Sequence, residues 1–272
     1  YLAQNSNLTT EQIDLLYQTK RVNKNYLAAN PKLTEEQFMR FFNDEEVLKD
    51  MLAMNPNLTT EQIDLLYQTK GVIKSSPASY SKLTEEQFMR FFNDGDVPKN
   101  NLALNPNLTT EQIDLLYQTK GVDKDHLAMS PKLTEEQFMR FYFDKDVNKD
   151  FLGMNKHITP EQIDLLYDAG ADRISLAQNS KLTEKQFVRI FNGGGRNYLA
   201  QNSNLTTEQI DLLYQIKDVD KDHLAANPKL TDEQFLRLFN DGFVDNDYLA
   251  PNPSINPPAN KPFASGVFNW RW

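Results

Sequence analysis

The chain has 272 residues, of which 39% are hydrophobic and 25% charged, with 10 Gly and 13 Pro, an ordinary globular balance. It contains no cysteine, which excludes disulfides, thiolate metal clusters and cysteine nucleophiles. The formal net charge of -9 argues against tracking a phosphate backbone, which needs a Lys/Arg face, and no apolar run approaches the ~18 residues of a membrane span.

Read from Tyr1, the passage YLAQNSNLTTEQIDLLYQTKRVNKN is followed by YLAANPKLTEEQFMRFFNDEEVLKD, and the pair recurs with a 50-residue period. Units begin at residues 1, 26, 51, 76, 101, 126, 151, 175, 198, 223 and 248. Self-similarity at this period marks a solenoid whose units stack only on their neighbours. No signal-peptide pattern opens the chain. It begins with Tyr1 at a unit start rather than with Met, which leaves open a processed product or a piece of a longer array. It reads as soluble, whether cytoplasmic or part of an extracellular or viral assembly.

In the first unit, Thr9 followed by Gln12 predicts a capping box, and Thr34 with Gln37 and Thr59 with Gln62 repeat it. Past the cap, Ile13, Leu16 and Tyr17 form the apolar stripe of a helix of about eleven residues. Phe38, Phe41 and Phe42 hold the same places in the second unit. The following segment, DEEVLKDMLAMN, reads as a shorter helix, partly 3₁₀, capped by Asp44, with Val47, Met51 and Leu52 inward and a stop at Asn55-Pro56. In the seventh unit Thr159 is followed by Pro160, which suits a first helical position. The expected fold is therefore all-α: a right-handed solenoid over residues 1–250, built of about ten 25-residue two-helix repeats, followed by a Pro-rich tail over 251–272.

The pattern D-x-D-V-x-K-x-x-L-A-x-N-P-x-L-T-x-E-Q, seen with minor changes from Asp144 to Thr159, resembles the leucine-rich repeat variant family. The resemblance covers residues 1 to about 253 and implies a HEAT-like helical solenoid of alternating α and 3₁₀ helices. Family units usually carry Pro where this chain has Thr after the Leu. Some members ligate an iron–sulfur cluster through cysteines, which this chain lacks. The resemblance implies a fold and no particular function.

The recurrent polar residues read as architecture. Asn5, Asn30, Asn55, Asn105, Asn155, Asn179, Asn202 and Asn227 share one unit position, as turn residues bonding neighbouring backbone would. A base-reading code would vary from unit to unit. Asp14, Asp64, Asp114 and Asp164 alternate with Arg40, Arg90, Arg140 and Arg189, a spacing suited to modest ion pairs between adjacent helices. Asp218, Asp220 and Asp222 lack the Gly and Glu of a calcium loop, which are replaced by His223 and Lys229. His126, His157 and His223 are too scattered for a metal site or triad. No cofactor, small-molecule substrate or catalytic residue is expected.

Function should sit where the repeat breaks. Pro77 and Tyr80 replace Leu and Asn and should distort a short helix, whereas Tyr142 and Phe143 replace the usual Phe-Asn. The units at 151 and 175 are short, and Gly193-Gly194-Gly195 takes the place of the core Val, so a kink is expected over 168–197. The tail holds Phe263, Phe268, Trp270, Arg271 and Trp272, either a cap for the stack or a docking peptide, since Trp and Arg dominate interface hot spots. The candidate partner-binding residues are Tyr80, Tyr142, Phe143, Phe268, Trp270, Arg271 and Trp272. The expected role is a non-catalytic scaffold binding a protein partner or a second copy; the alternative is an acidic inhibitor mimicking a nucleic acid.

Overall fold

The computed structural model describes residues 2–179, 181–242, 244 and 245; the tail residues Phe263, Phe268, Trp270, Arg271 and Trp272 lie outside them. The described residues are helical, without a strand among them. A 3₁₀ turn at Leu2–Gln4 is followed by α1 (Thr10–Gln18), α2 (Lys24–Ala28), α3 (Glu35–Asn43), α4 (Lys49–Ala53), α5 (Thr60–Gln68) and α6 (Ser75–Tyr80). Next come α7 (Glu85–Asn93), α8 (Lys99–Ala103), α9 (Thr110–Gln118), α10 (Lys124–Ala128), α11 (Glu135–Phe143) and α12 (Lys149–Met154). The chain continues through α13 (Pro160–Asp168), α14 (Arg173–Ala177), α15 (Glu184–Asn192), α16 (Arg196–Ala200), α17 (Thr207–Tyr214), α18 (Lys221–Ala225) and α19 (Asp232–Asn240). The described residues form an all-α repeat array, divided into two compact units that meet in sequence between residues 157 and 158.

Every odd-numbered helix starts with the capping box that Thr-x-x-Gln predicts, including Thr159 ahead of Pro160. Each box satisfies two of the orphan donors of a helix start. These helices run eight or nine residues, shorter than the stripe suggests. Ile13, Phe38, Phe41, Ile63 and Leu66 are sealed in the core, whereas Tyr17 and Phe42 lie at its rim. The even-numbered helices stack on one another: in the first unit α2 on α4, then α6, α8, α10 and α12, and in the second α14 on α16 and α18.

Asp44 departs from its expected place. It follows α3 rather than capping α4, and its Oδ1 accepts the Glu46 N–H at 2.9 Å. The resulting turn drops Val47 into the core, and α4 begins only at Lys49. Met51, expected inward, is half-buried, and Ala53 beside Leu52 takes the core place.

Consecutive layers are joined by the asparagine row. Asn30 Nδ2 donates to the Asn5 carbonyl at 3.0 Å and Asn55 Nδ2 to that of Asn30 at 2.8 Å. In the second unit Asn202 donates to Ala177 and Asn179, and Asn227 to Asn202. Each Oδ1 also accepts an N–H two residues on, as Asn105 does from Asn107. These side chains are nearly solvent-free, so every bond replaces one to water that burial removed.

The breaks in the repeat are absorbed locally. α6 gains a sixth residue with Pro77 in its first turn, where a missing N–H costs nothing. Ser81 then occupies the buried place of the lost Asn, and Asn105 bonds the carbonyls of Ala78 and Ser81. The two shortened units replace the Thr-led or Asp-led turn of their counterparts with Schellman closures. Ala171 N–H reaches the Leu166 carbonyl across Gly170 (φ 83°), and Gly195 N–H reaches that of Ile190 across Gly194 (φ 94°). A Cβ on Gly195 would lie 2.5 Å from Ile190 Cγ2, so glycine there makes room for the core.

Candidate partner-binding face

The short helices present one position outward. Leu52-Ala53, Leu102-Ala103 and Leu152-Gly153 turn into the core, which forces the next residue toward solvent. In the first two layers of the first unit that residue is Gln4 and then Ala29; from the third layer on it is apolar, Met54, Leu104, Met129 or Met154, with Tyr80 ending α6 in the equivalent exposed place. From the third layer on, all but the half-buried Met129 are more than two-fifths exposed. Met51, His126 and Phe151, three residues earlier on their helices, are half-buried beside them. A cleft of about 70 Å³ opens between the ends of α8 and α10, lined by Leu104, Pro106, His126, Met129 and Pro131. His126 Nδ1 is buried there with no hydrogen-bond partner.

The same position in the second unit holds Gln178, Gln201 and Ala226. Gln178 Nε2 donates to Gln201 Oε1 at 3.0 Å, and Gln201 Nε2 lies 3.2 Å from His223 Nε2. The apolar row of one unit is thus a polar ladder in the other.

On the long helices Leu15, Leu165, Val188, Leu212 and Leu236 form a second exposed apolar series. Phe143 ends α11 at 71% exposure, edge-on to Tyr142, which stacks on Phe138. Of the residues singled out by sequence, Tyr80 therefore joins the short-helix row, and Tyr142 and Phe143 sit at a long-helix end. Sequence reasoning missed Met54, Leu104, Met129 and Met154. The available signal was the variable residue of L-A-x-N, glutamine at 4, apolar from 29 through 154 apart from Tyr80's unit, and glutamine again at 178 and 201.

Charge is arranged in alternating signs. Arg40 pairs with Asp14, Arg90 with Asp64, Arg140 with Asp114 and Arg237 with Asp211, as the sequence predicts for the first three. A further cluster joins Tyr17, Lys24 and Asp44: the phenol donates to Oδ2 at 2.7 Å and the ammonium lies at 2.8 Å. Tyr67, Lys74 and Asp94 repeat it, as do Tyr117, Lys124 and Asp144. The lysine first, and the phenol second, lower the carboxyl pKa of Asp44, Asp94 and Asp144 to about 2. The Glu residues instead line the N-termini of the long helices, where the helix dipole favours them.

Asp220 caps α18, accepting from Asp222 N–H, and Asp222 accepts from Asp245 N–H; both carboxylates serve as turn acceptors. Among the described residues no three His, Asp or Glu side chains converge on a metal position. No described helix is long and apolar enough to cross a membrane. Comparison with protein-family models, with curated proteins and with solved structures yields no match to this chain.

Proposed function

We propose that the protein is a non-catalytic scaffold whose first unit docks a protein partner along the short-helix row. The observation that carries this reading is the run of Met54, Tyr80, Leu104, Met129 and Met154 at one repeated outward position. Flexible thioethers beside an aromatic ring adapt to a partner's surface, and contiguous exposed apolar groups on a polar protein mark interaction sites. The cleft at Leu104 and Met129 offers a seat for an anchoring side chain, with the unpaired His126 nitrogen as its polar contact.

A photo-crosslinking residue placed at Leu104, and in a separate variant at Gln201, tests the assignment in cells expressing the full chain. Defined protein adducts are expected from position 104 and not from 201. Equal yields at both positions, or none at 104, would remove the face from consideration.

The acidic-mimic alternative draws on the glutamates along the long-helix starts, such as Glu35, Glu36, Glu85, Glu86, Glu135 and Glu136. Gln62 and Gln112 already engage Glu35 and Glu85, and interleaved Asp–Arg pairs break the negative field alongside. Both features support the scaffold over the mimic. Competition with a basic DNA-binding protein for duplex DNA would reverse that preference.

A further inference from the structure

We propose that the site around Tyr167, Arg173 and Gly193 binds a carboxylate supplied by a protein partner. The array contains the same polar cluster at five successive places, and in four of them the protein fills it with its own carboxylate. The phenol of Tyr17, Tyr67, Tyr117 or Tyr214 donates to an aspartate at 2.6–2.8 Å. A lysine closes on the same oxygen at 2.7–3.1 Å. These aspartates keep only 9–12% side-chain exposure, so each is a built socket with a carboxylate in it.

The remaining cluster keeps the socket and lacks the carboxylate. Gly193 stands at the position of Asp44, Asp94, Asp144 and Asp241, and Gly194 follows where Glu45, Gly95, Lys145 and Gly242 stand elsewhere. Among the described residues Tyr167 donates to the Arg189 carbonyl alone, at a long 3.4 Å. The lysine is replaced by Arg173, whose guanidinium lies 5.8 Å from the Tyr167 ring centroid and has no acid within ion-pair distance among the described residues. Arg189 is already engaged by Asp168 at 2.6 Å and Asp164 at 3.2 Å and forms a wall. Asp172, at the rim, accepts the Ile174 N–H as the cap of α14. Between Tyr167, Gly170, Ala171, Asp172 and Arg173 lies a cleft of about 250 Å³.

Turn geometry does not explain the glycine. A Schellman closure needs left-handed backbone at Gly194, and core packing needs Gly195, but Gly193 has φ -79°, which aspartate adopts freely. What Gly193 supplies is space. A Cβ there would stand 2.8 Å from Arg173 Nε and 3.1 Å from both the Arg189 carbonyl and Tyr167 Oη, crowding the turn as well as the two groups that would grip an incoming oxygen. The exchange of lysine for arginine also converts a point charge into a planar two-pronged donor, which matches a free carboxylate. The socket lies wholly in the second unit and stands independently of the apolar row.

The test follows the Arg173 Nε–H and Tyr167 ring resonances of the full ¹⁵N/¹³C-labelled chain during titration. The probes are sodium acetate, sodium chloride at matched ionic strength, and two peptides. One is hexaglutamate blocked at both ends; the other is an acetylated Gly-Ser hexapeptide with a free C-terminal carboxylate. Acetate is expected to give saturable shifts that chloride does not, and the peptide that binds identifies side chain or chain end as the source. Gly193→Asp, which refills the socket, and Arg173→Gln, a change at an exposed residue, should each weaken acetate binding at least tenfold as read at Tyr167. Equal responses to acetate and chloride, no binding by either peptide, or an undiminished response in Arg173→Gln would overturn the proposal.

Discussion

Along the short helices of the first unit the outward residue is a methionine, leucine or tyrosine from Met54 to Met154; in the second it is Gln178, Gln201 and Ala226. The short helix and its inward leucine, followed by alanine at 53 and 177, are the same on both sides of that change. A solvent-facing substitution on a fixed layer alters stability by only about 0.5 kcal/mol, so this position is free to vary without endangering the fold. The polar clusters vary too, complete three times in the first unit, and in the second opened at Gly193 and complete at Asp241. What the units share is structural; where they differ, the difference lies at the surface.

The sharpest way to break this comparison is to attack what is shared. Asn105→Ala removes the bonds to the Ala78 and Ser81 carbonyls and from the Asn107 N–H, and Asn202→Ala removes those to the Ala177 and Asn179 carbonyls and from the Asn204 N–H. Each should cost about 3 kcal/mol in urea denaturation. A large cost in one unit and none in the other would show that the layers are not equivalent.

A smaller effect separates the units by pH. The folded pKa of about 2 for Asp44, Asp94 and Asp144 lies below the ordinary value of 3.8. Their contribution is therefore fully present above about pH 4 and is lost as pH falls toward 2. Hydrogen exchange between pH 5 and 2 should show protection fading around these aspartates, and Asp94→Asn should flatten the acid limb. An unchanged limb would mean that the cluster contributes nothing to folding.

The smallest effect concerns one turn. Arg21 adopts φ 70° where Gly71 and Gly121 stand in equivalent layers. Arg21→Gly should raise stability by about 0.5–1 kcal/mol, because a side chain is strained in the left-handed region. Thermal unfolding reads it, and a fall in midpoint would contradict the strain.

Much of this was legible in the sequence. The capping boxes are local, needing only Thr and Gln three residues apart, and all follow the pattern. The asparagine row and the Asp14–Arg40 type of pair were also readable, because a fixed period converts sequence offset into spatial adjacency. Asp44 was misread because two local rules compete for it: an aspartate ahead of a short helix suggests a cap, yet its partners Tyr17 and Lys24 lie 27 and 20 residues back. The outward row was hidden for a different reason. A methionine after Leu-Ala fits a buried place as readily as an exposed one, and only the stacking of the short helices decides. At Gly193 the sequence showed a loss; the value of the empty place appears only beside its four filled counterparts.

The two kinds of layer also use their capping glutamines differently. Gln37, Gln87 and Gln137 reach back to a Thr carbonyl and an Asp of the preceding helix, whereas Gln62 and Gln112 reach a Glu. Each flavour is cut to receive the other. A gene encoding such an array can therefore lengthen or shorten by whole couplets of about 50 residues with every seam already matched, but a single unit gained or lost would leave two mismatched faces in register. Unequal recombination should leave couplets as its mark, and the near-identity of the units at 51 and 101, which differ at 4 of 25 positions, is the trace such an event would leave.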